Sequence, residues 1–310
     1  MRKFKLEYAF LIAMLLMIVL AVFGDKADAK TLNATPSTIA ANISAAQPGD
    51  TVVLTGTTPT IITINGRKWS PPINLDASAA TMRGLVIKSS DGIRIKGGTF
   101  PLANGAGPAG YAIWAQQSSN IYLYKPDITG ARVAILFDRV TDSEIFGATI
   151  QKQITDGIDL PGSKRVKVSY TRCTLSVGNL AHPDCIQIWS RPGMITQDIT
   201  LDHNYCKGNS QCFTGFNHVR NGINDGGFDR LTITNNIAVS LYPQSIVYAA
   251  VRDGTFTGNI AYTMKGAQWQ ARFSAGCSGK CVIVKNVQGI RPGLAMPPEP
   301  LPPVLPNVAF

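Results

Sequence analysis

The chain has 310 residues, 45% of them hydrophobic and 15% charged, with 29 glycines and a formal net charge of +10. That balance excludes a disordered polymer and leaves ample apolar surface for a large core. The basic excess fits anionic partners; with a leader-like N-terminus and no nucleic-acid motif, the expected partner is acidic polysaccharide or a cell-envelope glycan, and no nucleic acid.

In chain order, Arg2, Lys3 and Lys5 come first, and an apolar run of 15 residues follows from Ala9 to Phe23. Ala27-Asp28-Ala29 is a small-x-small site, so 1–29 reads as a secretory signal peptide cleaved after Ala29. The run falls short of the roughly 20 residues that span a bilayer, so no stable transmembrane span is expected after cleavage; an uncleaved anchor is the alternative. Removal takes away four basic and three acidic residues and leaves a formal +9 on a secreted or periplasmic chain. Next, Pro36 to Ala46 carries Ile39 and Ile43 at helical spacing, which predicts a short N-terminal helix capping whatever follows. Pro48-Gly49-Asp50 then leads into a strand at Thr51 to Leu54.

From there one pattern returns. The segments Leu123–Ile128, Ile145–Ile150, Val168–Cys173, Leu201–Cys206, Ile233–Ala238 and Phe256–Ala261 begin at intervals of 22, 23, 33, 32 and 23 residues. Ten residues before four of those starts stand Ile113, Ile135, Ile158 and Ile246, and Leu85 bears the same relation to Ile95. Strand pieces repeating at this period predict an all-β fold, a right-handed parallel β-helix (a solenoid) over 30–290. A β-sandwich also has many short strands, but it gives no reason for the fixed ten-residue offset. Leu102 to Gly110 reads as a loop, and the two long intervals imply insertions near Pro192–Ile195 and Asn217–Phe228. The proline-rich stretch 291–310 reads as a C-terminal tail or a strap over the last coil.

Six cysteines in an exported chain favour disulfides over metal ligands. Cys173 and Cys206 hold equal positions in adjacent coils, and so do Cys185 and Cys212 if Phe213 matches Ile186. Pairing along the stack is therefore expected, with Cys206–Cys212 as a local alternative and Cys277–Cys281 closing a small loop. A stack of reduced, buried cysteines is the remaining alternative.

Alternation along the upstream strands gives a map of one outer face. One outward row reads Trp114, Leu136, Asp159, Gln187, Thr214 and Val247; the other reads Gln116, Asp138, Pro161, Trp189, Phe216 and Ala249. Asp156 and Asp184 stand two residues before the inward Ile158 and Ile186 and should be neighbours in the stack. Strict alternation would turn both inward, so they reach the outer face only from the turn entering the strand. Two carboxylates that close cannot both ionise easily, which makes one a general acid at neutral pH, with Asp159 or His182 as base or orienter. Trp114, Gln187, Trp189 and Arg191 are the candidate substrate contacts, and Lys164 and Arg165 are near the cluster in sequence. The acids could hold Ca²⁺, although no Ca²⁺ loop motif is present and no cofactor is firmly implied. His203 and His218 read as structural. Turn chemistry at Asp-Gly and Pro-Asp is the plainer reading of the three aspartates.

Thr155-Asp156-Gly157-Ile158-Asp159 resembles the Asn-Thr-Asp-Gly motif of polygalacturonase-type glycosidases, and Pro183-Asp184-Cys185-Ile186 resembles half of that family's Asp-Asp motif. The helix, Pro-Gly-Asp and strand near the N-terminus are similar to the opening of many exported β-helix polysaccharide enzymes. The resemblance implies hydrolytic roles for Asp156 and Asp184. It stops there: Pro183 stands where the family has an acid, Ser210-Gln211-Cys212 replaces Gly-His-Gly, and the Arg-Ile-Lys motif is missing from the expected coil. A lyase or epimerase mechanism on a uronate is therefore carried beside hydrolysis. The rivals are a non-catalytic carbohydrate-binding or envelope-structural β-helix and a phage-type tail spike.

Overall fold

Apolar residues spaced for a solenoid need a partner coil on each side, and the register shows that they have one. The computed structural model describes residues 28–101, 110–175, 183–290 and 298–301. Residues 1–27, most of the stretch 102–110 and most of 291–310 fall outside these residues. From Thr31 onward the chain is one unit, a parallel β-solenoid with a single short helix among the described residues.

Each coil lays down three strand segments, and each segment pairs in parallel with its counterpart one coil on. On the first face, Ile62, Leu85, Ile113, Ile135, Ile158, Ile186, Phe213, Ile246 and Phe273 lie in one register column. On the second, Ile95, Leu123, Ile145, Val168, Leu201, Ile233 and Phe256 do the same. On the third, Phe100, Ile128, Ile150, Cys173, Cys206, Ala238 and Ala261 complete the ring. The three columns point inward and merge into one core. Coils spaced by the ~4.8 Å of a β-ladder bring each column member into contact with the next, which is where the hydrophobic stabilisation arises.

The corners need polar chemistry, because turning backbone leaves N–H and C=O groups inside. Between the second and third faces a ladder of asparagines, buried in its first three members, meets that need. Asn204, Asn236, Asn259 and Asn286 pass side-chain hydrogen bonds from coil to coil at 2.9, 3.0 and 2.9 Å. Asn236 also accepts from the Asn204 backbone N–H and donates to the Leu201 carbonyl, so its whole amide is used. The residue just before each of the first three turns left-handed: His203, Asn235 and Gly258 have φ of 55°, 55° and 70°.

The helix Ile39–Ala45 covers the first coil with Ile39 and Ile43, each 4% exposed. The Trp69 indole N–H donates to the Ala46 carbonyl and ties the cap down. At the other end, Glu299 pairs with Arg172 at 3.0 Å, so the described part of the tail lies back along the third face rather than over the last coil.

The cysteines correct the pairing expected along the stack. Cys173 and Cys206 do align, but the bonds are Cys173–Cys185, Cys206–Cys212 and Cys277–Cys281. Aligned inward side chains on adjacent coils run side by side, whereas the first two bonds join the third-face segment of one coil to the first-face segment that follows it in the chain, across the corner where side chains converge. Cys185 also loses its expected alignment with Cys212, because the register shifts between Asp184 and Ile186 and places Asp184 opposite Cys212. No helix among the described residues is long and apolar enough to cross a membrane.

Asn236→Ala leaves a buried donor and acceptor without partners on both sides of the ladder. The expected loss is about 3 kcal/mol of stability, read as a lower urea midpoint with circular dichroism unchanged in form; an unchanged midpoint would show that the ladder is not holding the corner.

Candidate functional site

The site grows from the first face. Its outward row runs Trp114, Leu136, Asp159, Gln187, Thr214 and Val247, in register coil by coil. Asp156 lies just before this row. Gly157 follows it, and a Cβ there would stand 2.5 Å from the Cys185 carbonyl oxygen. Glycine thus allows the next coil to close in, with the Gly157 N–H donating to the Asp184 carbonyl at 2.8 Å. The Asp184 N–H in turn donates to Asp156 Oδ1 at 2.9 Å. Asp156 and Asp184 are neighbours, as the spacing predicts.

The register shift at Asp184 sets where its carboxyl goes. Oδ1 accepts from the Thr214 hydroxyl at 2.7 Å and Oδ2 from Gln187 Nε2 at 3.0 Å. Both partners belong to the outward row, so Asp184 sits on the outer side of the strand, sealed beneath its neighbours at 0% exposure. Asp159 is 5% exposed, and its Oδ1 has no hydrogen-bond partner. Burial raises the proton affinity of Asp159 first, the charges of Asp156 and Asp184 add to it, and Arg132 offsets part. Asp184 is raised by burial and then by Asp156, with the Thr214 hydrogen bond opposing. Both carboxyls are held well above the ordinary carboxylate range.

A cleft of about 460 Å³ lies beside this cluster, lined by Gln187, Trp189, His218, Arg220, Asn221, Ile223 and Asp225. Gln187 belongs to both, as the cleft wall and as the donor to Asp184. The opposite wall is a hairpin in which Val219–Arg220 pairs antiparallel with Ile223–Asn224. Asn221 and Gly222 have φ of 51° and 75°, the left-handed pair of a two-residue hairpin turn. His218 Nδ1 stands 3.4 Å from Asp225 Oδ2 at the hairpin base. Arg220 is exposed at the cleft edge.

The other candidates are distributed along the same face. Lys88 lies over the Trp114 ring, 4.5 Å from its centroid, so one face of that indole is already occupied. Tyr111 meets Trp114 edge-on and its hydroxyl accepts from Arg132 at 3.4 Å. Arg191 stands 3.2 Å from Asp138, a carboxylate that also accepts from Gln116 and Arg139. Its charge is therefore committed to Asp138 within the second outward row. Lys164 and Arg165, near the cluster in sequence, are on the second face, where Arg165 binds Asp142 through two nitrogens. His182 lies outside the described residues. No group of three or more His, Cys, Asp or Glu side chains among the described residues is arranged to hold a metal ion.

His218, Arg220 and Arg132 are contributions that the sequence reading missed. Asn221-Gly222 is a hairpin signal in its own right and could have placed the first two over the face. Arg132 had no signal, because its effect on Asp159 exists only across coils.

No family model matches the chain, and no curated protein matches it. Solved structures similar to it include an alginate lyase from Paenibacillus sp. str. FPU-7, at 16% identity and TM-score 0.44 over 84% of this chain and 99% of that one. A pectate lyase is similar at 11% identity and TM-score 0.48, over 83% and 78%. A polygalacturonase from Erwinia carotovora ssp. carotovora is similar at 13% identity and TM-score 0.37, over 84% and 95%. At these identities the likeness concerns the solenoid alone.

The raised carboxyls fix a stability trend. The folded chain binds protons that the unfolded chain releases above about pH 4, so stability falls as pH rises from there through the folded-state values. Asp159→Asn removes one such group. Its melting temperature is expected to match the parent near pH 4 and to exceed it increasingly toward pH 8. A constant offset across that range would mean that Asp159 carries no raised proton affinity.

Proposed function

We propose that this chain is an exported protein that cleaves an acidic polysaccharide by acid-assisted hydrolysis, with Asp159 as the proton donor. The observation that carries this reading is a buried carboxyl with an unpartnered oxygen and a raised proton affinity, set in the outward row one coil from the cleft wall. A carboxyl whose proton affinity burial raises stays an acid at higher pH than an ordinary aspartate, and protonation of a glycosidic oxygen is what an acid at this position supplies. In the proposed step the Asp159 proton passes to the glycosidic oxygen as the bond to the anomeric carbon breaks. Water adds to that carbon and its proton goes to Asp156, the partly exposed member of the cluster. Asp184 then acts as a positioning residue, sealed under Gln187 and Thr214 and holding Asp156 through its backbone N–H. Trp189 offers an apolar face to a sugar ring, Arg220 offers positive charge to its carboxylate, and His218 offers a hydrogen bond. Three disulfides suit an oxidising compartment and support export.

A second reading, glycan binding without chemistry, is favoured by the complete burial of Asp184 and the use of both its oxygens inside the fold. One assay separates the two. The protein is incubated with acidic and neutral polysaccharides, with and without Ca²⁺, while reducing ends and unsaturated-sugar absorbance are followed together. Hydrolysis predicts reducing ends without absorbance, on an acidic polymer, with activity lost as pH rises through the Asp159 proton-release range. Asp159→Asn should lower the rate by about 10²-fold or more. Absorbance rising with the reducing ends would replace hydrolysis by elimination, and retention of polymer with no new ends would leave binding alone.

A further inference from the structure

The two ends of the solenoid are finished differently. The first coil is covered by the helix Ile39–Ala45, whereas the last coil presents its core edge. Ile283 follows Phe256 in an inward column, yet it is 45% exposed. Val282, Val284 and Val287 beside it are 48%, 47% and 45% exposed, and Trp269, on the loop entering the same coil, is 58% exposed. Charge is just as one-sided here. From Met264 to Ile290 the chain carries Lys265, Arg272, Lys280 and Lys285 and no acidic residue. All four side chains are exposed. None of the ion pairs among the described residues uses them. The nearest acid, Asp253 on the preceding coil, is turned to the Lys280 backbone N–H at 2.7 Å.

We propose that this end of the solenoid docks on an anionic lipid surface. The aliphatic edge and Trp269 enter the headgroup boundary, and the four cations sit among lipid phosphates. Such a combination of apolar side chains, an interfacial tryptophan and clustered Lys/Arg is what peripheral attachment to anionic lipid requires. A second copy fits the same end poorly. Two such ends meeting face to face bring eight positive charges together, and head-to-tail stacking is blocked by the N-terminal helix. The chain's own tail is a weak candidate, because Glu299 is held at Arg172, four coils back along the third face. Docked this way, the solenoid stands on its last coil with the cleft on its side left open.

The test is co-sedimentation of the mature protein with neutral phosphatidylcholine vesicles and with vesicles holding about 30 mol% phosphatidylglycerol, together with tryptophan fluorescence. Expected are binding to the anionic vesicles only, release at about 0.5 M salt, and a blue shift that Trp269→Phe removes. Lys280→Glu with Lys285→Glu should weaken binding by at least tenfold, while the charge-matched pair Lys125→Glu with Lys152→Glu, on coils remote from this end, should weaken it far less. Equal binding to both vesicles, equal loss in the two charge variants, or no vesicle binding would overturn the proposal. So would a stable dimer that forms through this end, or capture of an acidic protein there with the vesicles left unbound.

Discussion

Parallel register is the constraint on which the rest of this molecule depends. Every coil places an equivalent residue over its predecessor at the spacing of one β-ladder, so a side chain's surroundings are chosen by residues some 22 to 33 positions away. The isoleucine column on the first face is the plainest result, and the asparagine ladder is the same rule applied to a polar corner. Long coils are accommodated outside the register. The hairpin at 219–224 grows from a corner and leaves the Phe213-to-Ile246 step of the column intact.

The same rule builds the acid cluster. Asp156, Asp159 and Asp184 come from two adjacent coils, and a single register shift at Asp184 turns its carboxyl to the side that Gln187 and Thr214 occupy. Burial makes charge on both Asp159 and Asp184, beside the partly exposed Asp156, costly. The raised proton affinity of Asp159 and Asp184 relieves that cost. Structure and chemistry have one origin here, since the hydrogen bonds that hold Asp184 also decide which carboxyl is left with an unpartnered oxygen.

Much of this was legible in the sequence. The ten-residue offset between Ile135 and Ile145, or Ile158 and Val168, reports two inward strands of one coil, and alternation then assigned the outward rows correctly. Ile39 and Ile43 announced the cap. What stayed hidden depended on directions rather than positions. Aligning Cys173 with Cys206 was right, yet alignment does not make side chains converge, and each of the two bonds instead to the segment that follows it around the corner. Lys164 and Arg165 were near Asp159 in the chain but beyond a corner, so they serve the second face. Arg132 and Arg220 reach the site across coils or from a hairpin, where sequence distance carries no information. Whether Asp184 turned inward or outward hung on a register shift that no alternation pattern encodes.

Register and burial together hold the Asp159 and Asp184 carboxyls well above the ordinary carboxylate range. The most direct measurement is a carboxyl-carbon NMR titration of aspartate-labelled protein, with the Asp159 and Asp184 signals assigned from Asp159→Asn and Asp184→Asn. The expectation is that both signals titrate well above the ordinary carboxylate range, with the Asp159 signal moving down when Asp184 is removed. Titration of both near pH 4, each indifferent to the other, would contradict it.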